Sequence, residues 1–193
     1  HATPMTEPLL IAITLVSVLW LYEWLSNAAD APSPMKIGWA LFAAAWTRYE
    51  AWPIIAAAIA AAAVVMWAKG MSPAAITRQL WRLSRWPVAA VGLFVLNSRL
   101  TVGEWIVSRG FYVTDPTYDG QAGKTIVSIW WGTHRLGGYV LEIIALVTAA
   151  LVIGRALARR ADAALLVTVT LFAAAAVPSF AFYEGHPFRI RYM

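Results

Sequence analysis

An apolar run from Ile37 to Trp67 has a basic residue just outside each end, Lys36 and Lys69, and a charged pair, Arg48 and Glu50, in its middle. One bilayer crossing takes about 20 apolar residues, and an ion pair in mid-bilayer is costly. The run therefore reads as two limbs, 37–46 and 53–68, that enter a membrane, bend at 47–53 and return. Both basic ends then lie on one side. Pro53 suits the bend, because proline starts a helix far better than it continues one. A water-facing interfacial turn is the plainer reading of the pair. Further polar clusters expected at the same membrane face favour a functional one.

The rest of the chain agrees with a membrane setting. Of 193 residues, 61% are hydrophobic and 13% charged, against roughly a quarter charged in soluble domains. Many of the 11 tryptophans stand near the ends of apolar runs, as in interfacial belts. A net charge of +5 raises the question of nucleic acid, but the basic residues fall at run ends and short loops, with no single patch. Membrane lipids with anionic headgroups fit better, and no nucleic-acid partner is expected. Without cysteine there is no disulfide, thiol nucleophile or thiolate metal site. The chain opens on His1 inside a polar motif, so it reads as an internal piece of a longer protein.

The expected fold is all-α: one polytopic transmembrane bundle over residues 1–193, with about six inserted runs. These are 8–25, the two limbs, a short run from Trp86 to about Leu100, 137 to about 154, and 163–182. Thr6, Glu7 and Pro8 make a good start for the first. The fourth either ends early or continues through Thr101–Val107. The segment 69–85 holds Lys69, Arg78, Arg82 and Arg85 without an acid, which assigns it to the cytoplasm. Segments 26–36, 68–86 and 155–162 are then cytoplasmic, and 108–136 is a long external loop.

With that topology four polar groups share the external face: Thr3–Pro8, Thr47–Glu50, the loop 108–136 and Tyr183–Tyr192. Carboxylates, guanidinium groups and aromatic rings suit a phosphate-bearing, hydroxyl-rich substrate, because arginine grips phosphate bidentately and carboxylates take hydroxyl protons. Taken singly, each has a simpler explanation. Glu7 is a helix-start acid, Arg189 and Arg191 are snorkelling anchors, His134-Arg135 is an interfacial pair, and His186 is a loop histidine. Asp115 and Asp119 flank Pro116 and fit a turn better than a metal or lectin-like site. Three histidines without helical pairing argue against zinc.

Three motifs carry a family resemblance. Ala2-Thr3-Pro4-Met5-Thr6-Glu7-Pro8-Leu9-Leu10 resembles the motif opening a mid-protein helix in bacterial GT-C-type membrane glycosyltransferases, relatives of protein O-mannosyltransferases and lipid A aminoarabinose transferases. Thr47-Arg48-Tyr49-Glu50-Ala51-Trp52 resembles the element that follows two runs later, with Ala51 where glycine is usual. Arg189-Ile190-Arg191-Tyr192 resembles an Arg-x-Arg-Tyr element at the outer end of a later span. The resemblance implies a polyprenyl-phosphate-linked sugar donor, an acceptor outside the cytoplasm and, in some members, a divalent metal. It also implies a main catalytic aspartate in an external loop upstream of this chain, so the chain alone is expected to bind donor and transfer nothing.

On this reading Arg48 and Arg191 contact the donor phosphate, helped by Tyr49 and Arg189. Glu7 and Glu50 are auxiliary carboxylates that orient them or the acceptor, and His186 and Tyr192 line the pocket. The setting is the inner membrane, with the working face periplasmic. A rival reading is a transporter or flippase for a lipid-linked or anionic solute, since half-length limbs and intramembrane charges also mark discontinuous transport helices. A non-catalytic membrane subunit is a third.

Overall fold

The computed structural model describes residues 7–105, 115–159 and 163–186. All regular structure among them is helical. The seven helices are α1 (Glu7–Leu25), α2 (Pro34–Thr47), α3 (Ala51–Ala68), α4 (Pro73–Val102), α5 (Ala122–Arg159), α6 (Leu165–Ala173) and α7 (Ala176–Tyr183). They fall into two compact units, one of residues 1–106 and 152–174, the other of 107–151 and 175–193. Among the described residues, three helices are long and apolar enough to cross a membrane: α1, α3 and α5.

In the first unit α2 packs against α1 and α4, and α3 packs against α6 and α4. The buried face of α3 is Ala51, Ile55, Ala58, Ala61, Ala62, Val65 and Met66, spaced to form one stripe along the helix. Small side chains there let backbones approach, which is how helices associate where lipid removes the hydrophobic drive. Gly38 on α2 serves the same end. A β-carbon added to it would lie 2.2 Å from Cδ1 of Trp86, so the indole of α4 rests on bare backbone. Trp86 also packs on Trp39, with ring centroids 4.4 Å apart, and carries the Arg85 guanidinium 5.1 Å from its own centroid.

Polar side chains in these apolar helices satisfy themselves locally. Ser17, buried in α1, donates to the Ile13 carbonyl at 2.7 Å, and Thr170 in α6 donates to the Leu166 carbonyl at 2.9 Å. Both are the i to i−4 bonds that hydroxyl residues use within a helix. At the end of the unit where α1 finishes, the Lys69 ammonium donates to the carbonyl of Leu25, an acceptor the helix leaves unpaired.

The first span and the two limbs are as expected, with helices at 7–25, 34–47 and 51–68 broken at 48–50. Elsewhere the expectations need correction. Segment 68–86 is mostly helix: after a tight turn, Ser72 caps α4 by accepting from the Ala75 amide, Pro73 takes the first position, and the helix runs on to Val102. The short fourth run is therefore the second half of a 30-residue helix that passes through buried Pro87. One face, Ile76, Leu80, Leu83, Pro87 and Ala90, packs inward, and Arg78, Arg82 and Arg85 stand exposed on another. That steady 4,3,4,3 spacing holds the helix together across the proline, whose missing amide costs one bond.

The expected loop 108–136 is helical from Ala122 onward, and only 115–121 of its described part is turn. Its glycines and aromatics mimic a loop, yet Ile126, Val127, Ile129, Trp130 and Trp131 form an apolar helix in which glycine is tolerated. The expected single span 163–182 is two short helices, α6 and α7, of roughly 14 and 12 Å. Pro178 lies in the first turn of α7, where its lacking amide breaks no bond, and the chain restarts there. Neither piece by itself reaches across a hydrocarbon core of about 30 Å; of the six expected runs, three lie in helices long and apolar enough to cross.

Candidate functional site

Between α2 and α3 the chain turns in three residues. Arg48 is extended (φ −160°, ψ 150°) and ends α2, Glu50 is helical and leads α3, and the Ala51 and Trp52 amides bond back to the carbonyls of Arg48 and Tyr49. Trp52 locks the turn from below. Its indole donates to the Ala45 carbonyl at 3.0 Å across the bend, and its ring meets Phe94 of α4 edge-on at 5.5 Å. Ala51 is fully buried, so its methyl group fills core space.

This frame fixes a bidentate ion pair. Nε of Arg48 donates to one carboxylate oxygen of Glu50 at 3.1 Å and Nη2 to the other at 2.8 Å. Each side chain is 24% exposed, so the pair is sheltered without being sealed. Parallel bonds of this sort set the plane of the guanidinium as well as its position. Tyr49 between them is exposed. The end of α1 lies at the end of α3, where the Lys69 ammonium donates to the Leu25 carbonyl, and the two helices pack together, so α1 and α3 run in the same direction. Glu7, the first residue of α1, therefore starts at the end of the bundle that carries Arg48 and Glu50.

In the second unit, two of the expected clusters meet. The Asp115 amide donates to the Gly185 carbonyl at 2.7 Å and the Gly120 amide to the Tyr183 carbonyl at 2.8 Å, which lays the turn 115–121 along the end of α7. Tyr118 and His186 each approach Phe182, at 6.3 and 6.5 Å between ring centroids. Asp115 is a turn residue as expected: its carboxylate accepts from the Thr117 amide at 2.9 Å. The Thr117 backbone hydrogen bond, with help from the Thr117 side chain, holds the carboxyl below its usual range. Among the described residues no three His, Asp or Glu side chains gather as a metal centre would need. Arg189, Arg191 and Tyr192 lie outside the described residues.

The site that residue patterns missed is inside α5. Gly138 has φ 71° and ψ 163°, outside helical space, and kinks the helix. In a straight helix His134 and Glu142 would stand about 12 Å apart along the axis. Across the kink Nδ1 of His134 comes within 3.5 Å of Oε2 of Glu142, and the Tyr139 ring lies 3.6 Å from the imidazole, centroid to centroid. Glu142 is only 8% exposed although Leu141 and Ile143 beside it face outward. The pair was expected as His134 with Arg135; instead Arg135 turns to Trp131, 5.2 Å from that ring's centroid. The adjacent glycines 137 and 138 in an apolar helix were the one available signal.

Among the described residues, an all-helical fold with three helices suited to a bilayer, an arginine–glutamate ion pair at one helix break and a histidine–glutamate contact at another is the class that fold and sites define. No family model matches the chain, and no curated protein or solved structure matches it.

Proposed function

We propose that the chain is the membrane-embedded part of a glycosyltransferase of the inner membrane, which moves a sugar from a polyprenyl-phosphate donor to an acceptor on the periplasmic side. The observation that carries this reading is the oriented Arg48–Glu50 pair at a turn that Trp52 holds rigid. In the reaction, the acceptor oxygen forms a bond to the anomeric carbon as the bond from that carbon to the lipid phosphate breaks. The phosphate leaves with the bonding electrons, and its growing charge is what a fixed guanidinium stabilises. Glu50 keeps the fork in one plane. Glu7 and Tyr49 are the further residues of this site in the same unit, with the main carboxylate supplied from outside the chain.

The test is binding of a polyprenyl monophosphate to the purified chain in detergent, with transfer from a radiolabelled lipid-linked sugar measured in any longer form. Arg48→Lys keeps the charge and loses the planar fork, so affinity should fall about tenfold or more. Unchanged affinity in both Arg48→Lys and Arg48→Gln would reduce the pair to a structural clasp.

A second reading, a transporter or flippase for an anionic or lipid-linked solute, is favoured by the kinked α5. A broken membrane helix with an ionisable pair at the break is the arrangement that transporters use. It predicts that proteoliposomes move a fluorescent polyprenyl-phosphate analogue between leaflets and that His134→Gln stops them, whereas the transferase reading predicts no such movement.

A further inference from the structure

We propose that the groove between α1 and α2 seats one acyl chain of an anionic glycerophospholipid whose phosphate rests on Lys36. The proposal stands on the groove's own chemistry and is independent of the transferase reading.

The groove measures about 520 Å³ and opens to the outside of the bundle. Its α1 wall is built from Ala12, Val16 and Trp20, and its α2 wall runs from Lys36 and Trp39 to Ala43. It is within the range of small-molecule sites, roughly 300–1,000 Å³, and extends about 12 Å along α1. The cause of the hollow is local: alanines on both helices at one end leave space that larger side chains would fill. An apolar trough facing lipid gains dispersion contacts only from something that fills it. A flexible hydrocarbon chain is the filler at hand.

Charge then selects among lipids. On the α2 side the trough runs from the exposed Lys36 and Trp39 to the alkyl end at Ala43, and Trp20 lines its α1 side. Tryptophan at this level is characteristic of the headgroup boundary, so a tail lying in the groove brings its phosphate to Lys36. Of the other cations at this end of the unit, Lys69 donates to the Leu25 carbonyl and Arg85 stacks on Trp86, which in turn packs on Trp39, while Arg78 and Arg82 stand exposed on α4 and do not line the groove. Lys36 lies two residues inside α2, on the first turn that Ser33 caps, and its side chain therefore projects from a fixed backbone.

The experiment is native mass spectrometry of the purified full chain in mild detergent, titrated with phosphatidylglycerol or with phosphatidylcholine of the same acyl composition. The wild type should bind one phosphatidylglycerol about fivefold more tightly than phosphatidylcholine, the preference that one near-surface lysine confers. Lys36→Gln should abolish the preference while leaving phosphatidylcholine binding as it was. Val16→Trp, which fills the trough from an exposed position, should reduce both lipids. Arg78→Gln, on an exposed face of α4, should change neither. Equal binding of the two lipids by wild type, a preference that survives Lys36→Gln, or an equal loss in Arg78→Gln would each overturn the proposal. So would displacement of the bound phosphatidylglycerol by a polyprenyl monophosphate, which would make the groove a donor site. Helical content followed by circular dichroism confirms that each variant is folded before its binding is read.

Discussion

Arg48 and Glu50 show how little of an ion pair's role follows from its energy. Partly exposed pairs contribute about 1 kcal/mol or less to stability, and this one is 24% exposed on each side. Glu50→Gln should therefore shift thermal unfolding in detergent only slightly while weakening polyprenyl-phosphate binding, because the fork loses its fixed plane. A large loss of stability with unchanged binding would make the pair a structural clasp. Asp115 permits a cleaner titration. Its carboxyl is held low by the Thr117 amide, so the bond is present above the ordinary aspartate range near 3.9 and is lost only as pH falls through a lower value. The amide proton resonance of Thr117 should titrate with a midpoint below that range, and Asp115→Asn should remove the titration.

Among the elements, α5 and the α2–α4 contact make the sharpest commitments. Gly138 sits at φ 71°, a region that a side chain makes unfavourable. Gly138→Ala should straighten α5 and pull His134 from Glu142. Spin labels at Val127 and Val147, both exposed, should then move apart toward the roughly 30 Å that twenty helical residues span. The same separation in wild type and variant would mean that the kink does not depend on glycine. At the other contact, Gly38→Ala drives a methyl group into the Trp86 ring, 2.2 Å away. Overpacking of this kind costs about 1–3 kcal/mol, which a lowered melting temperature in detergent should register, with Gly92→Ala on the same helix pair, where a β-carbon meets nothing, as the unaffected control.

For the whole molecule, the open question that an experiment settles is how many helices cross. By length and composition α1, α3 and α5 qualify, yet α4 is about 45 Å long and its second half is apolar. If α4 crosses, single cysteines at Ala74 in its first turn and at Thr117 beyond its other end, both exposed, should label from opposite faces of intact membrane vesicles. Labelling from one face would leave α4 lying along the interface by its arginine face, and would remove the shared external face on which the transferase reading depends.

Local signals account for much of this chain. Glu7 and Pro8 open a first helix, Arg48 and Glu50 with Pro53 force a break after Thr47, and the alanine-rich run 56–63 offers a stripe for close packing. Each rests on hydropathy, charge or a missing amide within a few residues, which is why the sequence alone determines them. Contacts decided the remainder. Leu83, Pro87 and Ala90 keep α4 whole because their shared face is buried against other helices, and hydropathy along the chain does not register that burial. Pro178 divides the last run where hydropathy is continuous. The fit of Trp86 on Gly38, 48 residues apart, and the approach of His134 to Glu142 depend on how backbones meet and bend in space. No short-range property of either residue encodes that, so only the tertiary structure could reveal it.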